Sequence, residues 1–461
     1  MSTSMDYFAA ADPAAIARDY PPIGTLRGLS RDALRARQEA RFRRVMAFAW
    51  RVPFYRRLWG KAGAEPGDIR SLEDLARLPA YDKSDLMASV AEHPPLGDFH
   101  GQDCHPDGAR PQIILQTTSG TTGTPQPLLF GPRSREVQNR LLARAYALMG
   151  MSREDVVHSV YGHGMVNGGH YVRETVLHWV GATFLSAGTG VETRSAQQVR
   201  LMRQFGATCI VGFADYIRRL ADVAREEGLA PRRDIPVRLI CAHLGSETHA
   251  TLSAAWGGAA VYDWYGVGDT GIIAGEGPDR SGMHVQEDAQ WLEIADPDSG
   301  APVPPGAPGD MICTCLFKDD IFPIIRFNTH DVTEELLGDN PLGLPFRRIR
   351  GFLGRSDNMV KLRGINLFPT GIGAILAEHR PDATGEFLCR VRRTGGRDEM
   401  VVELEVRGDT SEAARAACEA LLRARLGVEI GVVFAAPGSL APLTQVDQRQ
   451  KPIRLLDERK A

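Results

Sequence analysis

Between residues 110 and 330, short apolar runs alternate with stretches of helical period. "PQIILQT" reads as a strand that runs into a Gly/Thr-rich loop. "VRLMRQFGATCIVGF" reads as a helix, a glycine stop and a buried strand. "VRLICAHLG" and "AAVYDWYG" read as two further strands. This alternation predicts an α/β fold with mainly parallel sheets flanked by helices, and functional residues in the loops that follow the strands. Upstream, "SRDALRARQEARFRRVMAFAWRVPFYRRLWG" predicts a helix from a Ser30 N-cap, broken near Pro53, with a solvated Arg-rich face. The turn-rich stretch 296–310, "DPDSGAPVPPGAPGD", predicts a hairpin between "WLEIA" and "MICTCLF". Near "RGFLGRSDN" the pattern changes to a shorter α+β module with a helix over 411–426. The boundary is expected close to Asp357, dividing 1–356 from 357–461.

Composition narrows the function classes. The 461 residues are 43% hydrophobic and 24% charged, ordinary for a globular chain able to bury a full core. A net charge of −3, with arginines scattered, gives no field for gripping nucleic acid or an anionic membrane. Seven cysteines in no spaced framework read as reduced thiols, and Cys313 and Cys315 read as core positions on one face of a strand. The N-terminus lacks the apolar segment of a signal peptide, and no run approaches the ~18 apolar residues of a membrane span. A cytoplasmic protein is expected.

The most informative stretch is "QTTSGTTGTPQPLLF", residues 116–130. Ser119, Thr121 and Thr122 offer hydroxyls, while Gly120 and Gly123 allow backbone N–H groups to approach phosphate oxygens. The same composition also suits a plain surface turn.

Further landmarks follow in order: "YGHGMVNGG", "HLGSE", "YDWYGVGD", "FPIIRFNTHD", "GRSDNMVKLRGINLFP" and "PGSLAPLTQVDQRQKP". With the Gly/Thr loop, this series resembles the phenylacetate–CoA ligases, within the adenylate-forming acyl-CoA synthetases. The resemblance runs over nearly the whole chain. It implies a large N-terminal adenylate-forming domain, a small mobile C-terminal domain, and a homodimer. It further implies ATP-dependent activation of an aromatic carboxylic acid, aryl or arylacetic, as an acyl adenylate, then transfer to CoA. ATP, Mg²⁺ and CoA are the expected small-molecule partners.

The resemblance also assigns residues. Ser119 to Gly123 would cradle pyrophosphate, although relatives usually follow the last Gly with Lys and this chain has Thr124. Gly245, Ser246 and Glu247 would line the nucleotide, with Tyr265 beside adenine and Asp331 accepting the ribose hydroxyls. Asp269 stands where relatives carry Glu and would hold Mg²⁺, with Glu276 as a lesser candidate. His330, beside Asp331, is expected to face solvent. Arg355 would contact ribose or phosphate, and Asp357 would be the hinge between adenylation and thiolation. Arg363, Gly364 and Ile365 would border the CoA tunnel, and Lys451 would bridge carboxylate and α-phosphate. The acyl pocket would comprise Tyr161, His163, Phe213, Tyr216, Trp264 and Gly266, with aromatic walls suited to a flat aryl group. His163, His170, Arg173 and His178 would either greet a polar ring substituent or be satisfied helix-face groups. Relatives often carry a Cys/His cluster, but this chain has Gly277 before His284 and "NPLGLPF" later, so no structural zinc is expected.

Two alternatives stay open from sequence. The acyl acceptor could be an amine or a carrier-protein thiol, because Gln450, Gly371 and Gly373 depart from the pattern near the CoA side. A binding protein that has lost catalysis is the other, suggested by Thr124, Asp269 and Gln450.

Overall fold

The computed structural model describes residues 7–107, 109–118, 125–245, 247–356, 360–363, 365–394, 397–446 and 452–460. The chain divides into two compact units. The first comprises 1–150, 163–181 and 264–351; the second comprises 151–162, 182–263 and 352–461.

In the first unit, the Ser30 side chain accepts from Ala33 N at 3.1 Å and caps a helix over Arg31–Ala49. Pro53 then starts a second helix, Pro53–Lys61, at its first position, where a missing N–H costs nothing. The break is where the sequence predicts it. The arginine face is not uniformly solvated, however. Arg41 is buried, lies 4.1 Å from the Tyr20 ring centroid and donates to the carbonyls of Asp19 and Asp288. Its stem and planar head cover apolar surface that a sequence reading assigns to water.

The helix Pro132–Leu148 runs through this unit and is buried along most of its length. Its Arg144 forms a two-pronged ion pair with Asp288, at 2.9 and 3.1 Å, with both side chains at most 1% exposed. Gln290–Ala295 and Gly309–Cys315 pair antiparallel, as the predicted hairpin requires, and Phe327–Thr333 adds a third strand. Cys313 and Cys315 are buried there.

The second unit holds the parallel sheet. Thr183–Ser186, Val156–Ser159, Cys209–Phe213 and Leu239–His243 lie side by side in that order, and Ala260–Asp263 follows. The central strands are apolar and buried at nearly every position, and the helices Ser195–Gln204, Ala214–Glu226 and His249–Ala255 pack on the sheet. Val199, Ile217, Leu220, Leu252 and Trp256 from those helices pack onto Ile210 and Ile240. The strand Ala260–Val267 changes partner midway: Trp264–Val267 form a hairpin with Gly271–Gly275 in the first unit.

Within 352–461 lies a four-stranded sheet, ordered Gly431–Ala435, Arg397–Val406, Ala383–Thr394 and Leu455–Asp457. The helices Pro369–His379 and Glu412–Leu426 pack on it around Phe387, Val402, Leu422 and Ile430. Among the described residues, no helix is long and apolar enough to cross a membrane.

Asp288→Ala should lower stability by about 3–5 kcal/mol, because it leaves Arg144 charged and buried without its partner. Glu378→Ala, which breaks an exposed pair with Arg425, should cost under about 0.5 kcal/mol. Urea unfolding of the two variants measures the contrast.

Candidate active site

Several residues assigned from sequence lie outside the described residues: Ser119, Gly120, Thr121, Thr122, Gly123, Ser246, Asp357, Gly364 and Lys451, and the side chain of Ile365. What flanks the Gly/Thr loop is described. Ile114–Thr117 pairs antiparallel with Pro127–Phe130. Thr118 N donates to Gln126 O at 3.0 Å, and Gln126 N to Thr118 Oγ1 at 3.1 Å. The two ends of the loop are therefore held together by a hairpin.

Gln126 is buried, and its Nε2 donates to Asp269 Oδ1 at 2.8 Å. The Asp269 carbonyl accepts from Lys318 Nζ at 2.9 Å and Gln138 Nε2 at 3.1 Å. Lys318 is fully buried, its ammonium 4.8 Å and 5.1 Å from the ring centroids of Phe130 and Phe322. Burial pushes the Asp269 carboxyl up to about 6, against the opposing pull of Lys318. Gln126 and Lys318 were not singled out from sequence. A lysine in "CLFKDDIF", between apolar neighbours, was the available signal.

Among the described residues, no three His, Cys, Asp or Glu side chains gather as a metal-binding set. A lone carboxylate nevertheless fits Mg²⁺, which takes one or two protein carboxylates beside phosphate oxygens and water. Asp269 commits Oδ1 to Gln126, and Oδ2 makes no hydrogen bond to a described residue. Glu276 sits 3.5 Å from Arg280, a less suitable place for a cation.

Tyr265 and Asp331 meet directly, the phenol donating to Asp331 Oδ2 at 2.7 Å. Tyr265 is a buried strand residue, and its hydroxyl is engaged with Asp331. His330 does not face solvent freely, contrary to the expectation. Its Nε2 lies 2.8 Å from Asp82 Oδ2 and its Nδ1 3.3 Å from Asp310 Oδ2. The backbone at His330 is left-handed, φ 56°, and its N–H donates to Asn328 Oδ1 at 2.8 Å. The hydrogen bonds to Asp310 and Asp82 raise its pKa to about 10, so it is an imidazolium at neutral pH. Two carboxylates that sequence cannot bring together, from residues 82 and 310, cause this.

The residues assigned to the acyl pocket belong to both units. In the second unit, Tyr161 packs edge-on against Phe213, with centroids 5.3 Å apart, and Phe213 lies 5.1 Å from His243. All three stand at or just past the C-terminal ends of parallel strands, and Phe213 and His243 are half-buried. His243 was not singled out from sequence, although the strand "LICAH" ends on it. Tyr216 turns instead to Ser195, with 2.9 Å between hydroxyls. In the first unit, His163 packs edge-on against His170 at 5.9 Å, while Trp264 packs against Tyr146 and Tyr171. Gly266 has a hairpin reason to be glycine: a Cβ there would stand 2.4 Å from Gly271 O.

Glu247 is buried, accepts from Thr251 Oγ1 at 2.8 Å, and is pushed up to about 7 by burial and by Asp215. Gly245 adopts φ 58°, which its lack of a Cβ permits. Arg355 is half-buried at the end of Gly354–Arg355. Arg363 is exposed in the turn between Val360–Leu362 and Ile365–Leu367, 3.1 Å from Glu429.

A family model described as "AMP-binding enzyme" matches residues 66–314, and one described as "AMP-binding enzyme C-terminal domain" matches 364–459. The phenylacetate-coenzyme A ligase of Thermus thermophilus is 33% identical over 396 residues, covering 83% of each chain. That of Escherichia coli is 27% identical over 427 residues, 89% of this chain and 92% of the relative. Among solved structures, 2-hydroxyisobutyryl-CoA ligase in its postadenylation state matches with a TM-score of 0.80 at 27% identity, covering 96% of this chain and 92% of that one. The same ligase in its thioesterification state, with 2-HIB-AMP and CoA, matches with 0.65 at 28% identity and the same coverage.

His330→Asn keeps a residue tolerant of left-handed backbone but removes the charge. The folded-state pKa lies above the ordinary 6.5, so the imidazolium's contribution is fully present below pH 6.5 and is lost as pH rises towards 10. The variant should therefore be destabilised by about 1–3 kcal/mol near pH 6, the deficit shrinking at higher pH. Denaturation midpoints of both proteins between pH 6 and 10 measure it.

Proposed function

Because the chain belongs to the phenylacetate–CoA ligase family of AMP-binding, adenylate-forming enzymes, and is an AMP-forming acid–thiol ligase, we propose that its acid is aromatic, of the aryl or arylacetic type. The observation that supports this reading is the ring group Tyr161, Phe213 and His243 at the strand ends, where α/β folds bind ligands. Flat rings prefer edge-to-face or offset contacts with such a group.

The reaction has two balanced steps. A carboxylate oxygen bonds to the α-phosphorus of ATP, the bond to the bridging oxygen breaks, and pyrophosphate leaves. The CoA sulfur then bonds to the acyl carbon, AMP leaves with the electron pair, and the thiol proton passes to solvent. In the first step two anions must meet, so positioning and charge neutralisation carry most of the catalysis. Ser119 to Gly123 would offer hydroxyls and N–H groups to the phosphates, and Lys451 would bridge the acid and the α-phosphate. Asp331 would accept from the ribose hydroxyls, and Arg355 would contact ribose or phosphate. Gly245, Ser246 and Glu247 would line the nucleotide. Asp269 would hold Mg²⁺, which supplies positive charge against the phosphates. We assign 1–356 and 357–461 as the two functional domains, hinged at Asp357, with Arg363, Gly364 and Ile365 towards CoA.

Pyrophosphate release with ATP–Mg²⁺ across aryl, arylacetic, aliphatic hydroxy and dicarboxylic acids, with and without CoA, tests the substrate class. Sustained release is expected only with aromatic acids and CoA together; preference for an aliphatic acid would refute the aromatic assignment. Lys451→Ala should slow acyl-adenylate formation by about 100-fold or more and leave thioester formation from supplied acyl-AMP within about twofold. Equal losses in both half-reactions would remove Lys451 from the first step.

A further inference from the structure

Arg454 lies three residues after Lys451 and is a buried arginine, its side chain 6% exposed. Its guanidinium grips Glu386 with both prongs, Nη1–Oε2 at 3.0 Å and Nη2–Oε1 at 2.9 Å. Nη1 also donates to Phe387 O at 3.0 Å, and the group stands 4.8 Å from the Phe387 ring centroid. Glu386 in turn accepts from Thr444 Oγ1 at 2.7 Å. All of these partners belong to the C-terminal sheet region, which therefore fixes the direction of the guanidinium. One further donor, on Nη2, reaches out of that region to Asp215 Oδ1 at 3.0 Å.

Asp215 lies in the first turn of the helix Ala214–Glu226, two residues after Phe213 of the ring group. A second contact lies alongside. Gly385 adopts φ 94°, and a Cβ built there would stand 2.2 Å from Glu247 Oε1. Backbone of the C-terminal region thus comes directly against the Glu247 carboxylate. A third link, Arg407 to Asp222 at 2.8 Å, is solvent-exposed and contributes little. Without Arg454, three carboxylates (Asp215, Glu247 and Glu386) would share this site with much less neutralising charge.

We propose that Arg454 and Asp215 form a step-specific seat: their ion pair, with the Gly385 approach beside it, holds the C-terminal sheet region against the helix Ala214–Glu226 for acyl-adenylate formation. Arg454 is a positioning residue that acts through Lys451. The inference rests on the two-step reaction and the role of Lys451 proposed above. A contact made in one arrangement of the C-terminal region and broken in the other biases only the step that uses it.

Asp215→Asn is the principal test, because it leaves Arg454 paired with Glu386 and the C-terminal fold intact. Acyl-acid-dependent exchange of pyrophosphate into ATP should fall by about 10-fold or more, while thioester formation from supplied acyl-AMP and CoA stays within about twofold. Asp215→Glu should recover most of the exchange rate. Gly385→Ala, which leaves every charge in place, should reproduce the selective loss by obstructing the seat. Equal losses in both half-reactions, or unaltered exchange of pyrophosphate in both variants, would overturn the proposal. Amide hydrogen exchange of the substrate-free protein gives a readout independent of the reaction. The amides of residues 453–457 should exchange faster in Asp215→Asn than in wild type, and unchanged rates would likewise overturn the seat. Wild-type protein that makes acyl-AMP but no CoA thioester would instead count against the reading of the acceptor.

Discussion

A carboxylate and a triphosphate repel each other, and an enzyme that joins them must supply positive charge and directed hydrogen bonds without water's help. The Gly/Thr loop proposed for the phosphates carries no lysine after its last glycine, where Thr124 stands. A buried amine lies close to the base of that loop, although burial pushes its pKa down. Lys318 is buried under the hairpin that closes the loop and is tied to the Asp269 carbonyl, while Gln126 fixes the carboxylate above it. The loop base, the acid and the lysine form one connected group. A displacement of any of them would be transmitted to the others through hydrogen bonds rather than lost in solvent.

The same economy recurs elsewhere. Arg144, His330 and Arg454 are each buried or half-buried cations, and each meets at least one carboxylate at hydrogen-bonding distance. None is an isolated buried charge, whose desolvation would cost far more than a neutral side chain. Such groups fix direction more than they add stability. The left-handed backbone at His330 is an example: paired imidazolium on one residue, ribose-binding candidate on the next.

The pattern of apolar positions carried the architecture well. Ser30 and Pro53 mark their helix boundaries through local chemistry, and the parallel strands of the second unit are legible because burial on both faces leaves continuous apolar runs. The turn at 296–310 is equally local. Tyr265 and Asp331 were brought out by motif, and they do meet. The failures share a cause. Arg41, His330, Lys318 and Arg454 draw their roles from partners between roughly twenty and 250 positions away, as with His330, Asp310 and Asp82. His243 was missed because one histidine ending an apolar strand has no local mark of its neighbours Phe213 and Tyr161. Tyr216 is assigned to the pocket from its place in "GFADY", and the contact of its hydroxyl with Ser195 has no local mark in sequence.

The order in which the chain builds its two units has a consequence during synthesis. The first unit takes residues 1–150 and 163–181 but is completed only by 264–351. At ~5–20 residues per second, roughly 10–40 s separate the emergence of residue 150 from that of residue 351. Throughout that interval the helix Pro132–Leu148, buried along most of its length in the finished fold, has no strand Gly271–Glu276 to cover it. The nascent chain therefore leaves the apolar stripe of this helix, Val137, Leu141, Leu142 and Tyr146, and its unpaired Arg144 without their final cover for that time. Yield in the cell should depend on elongation speed and chaperone supply as much as on the stability of the finished fold.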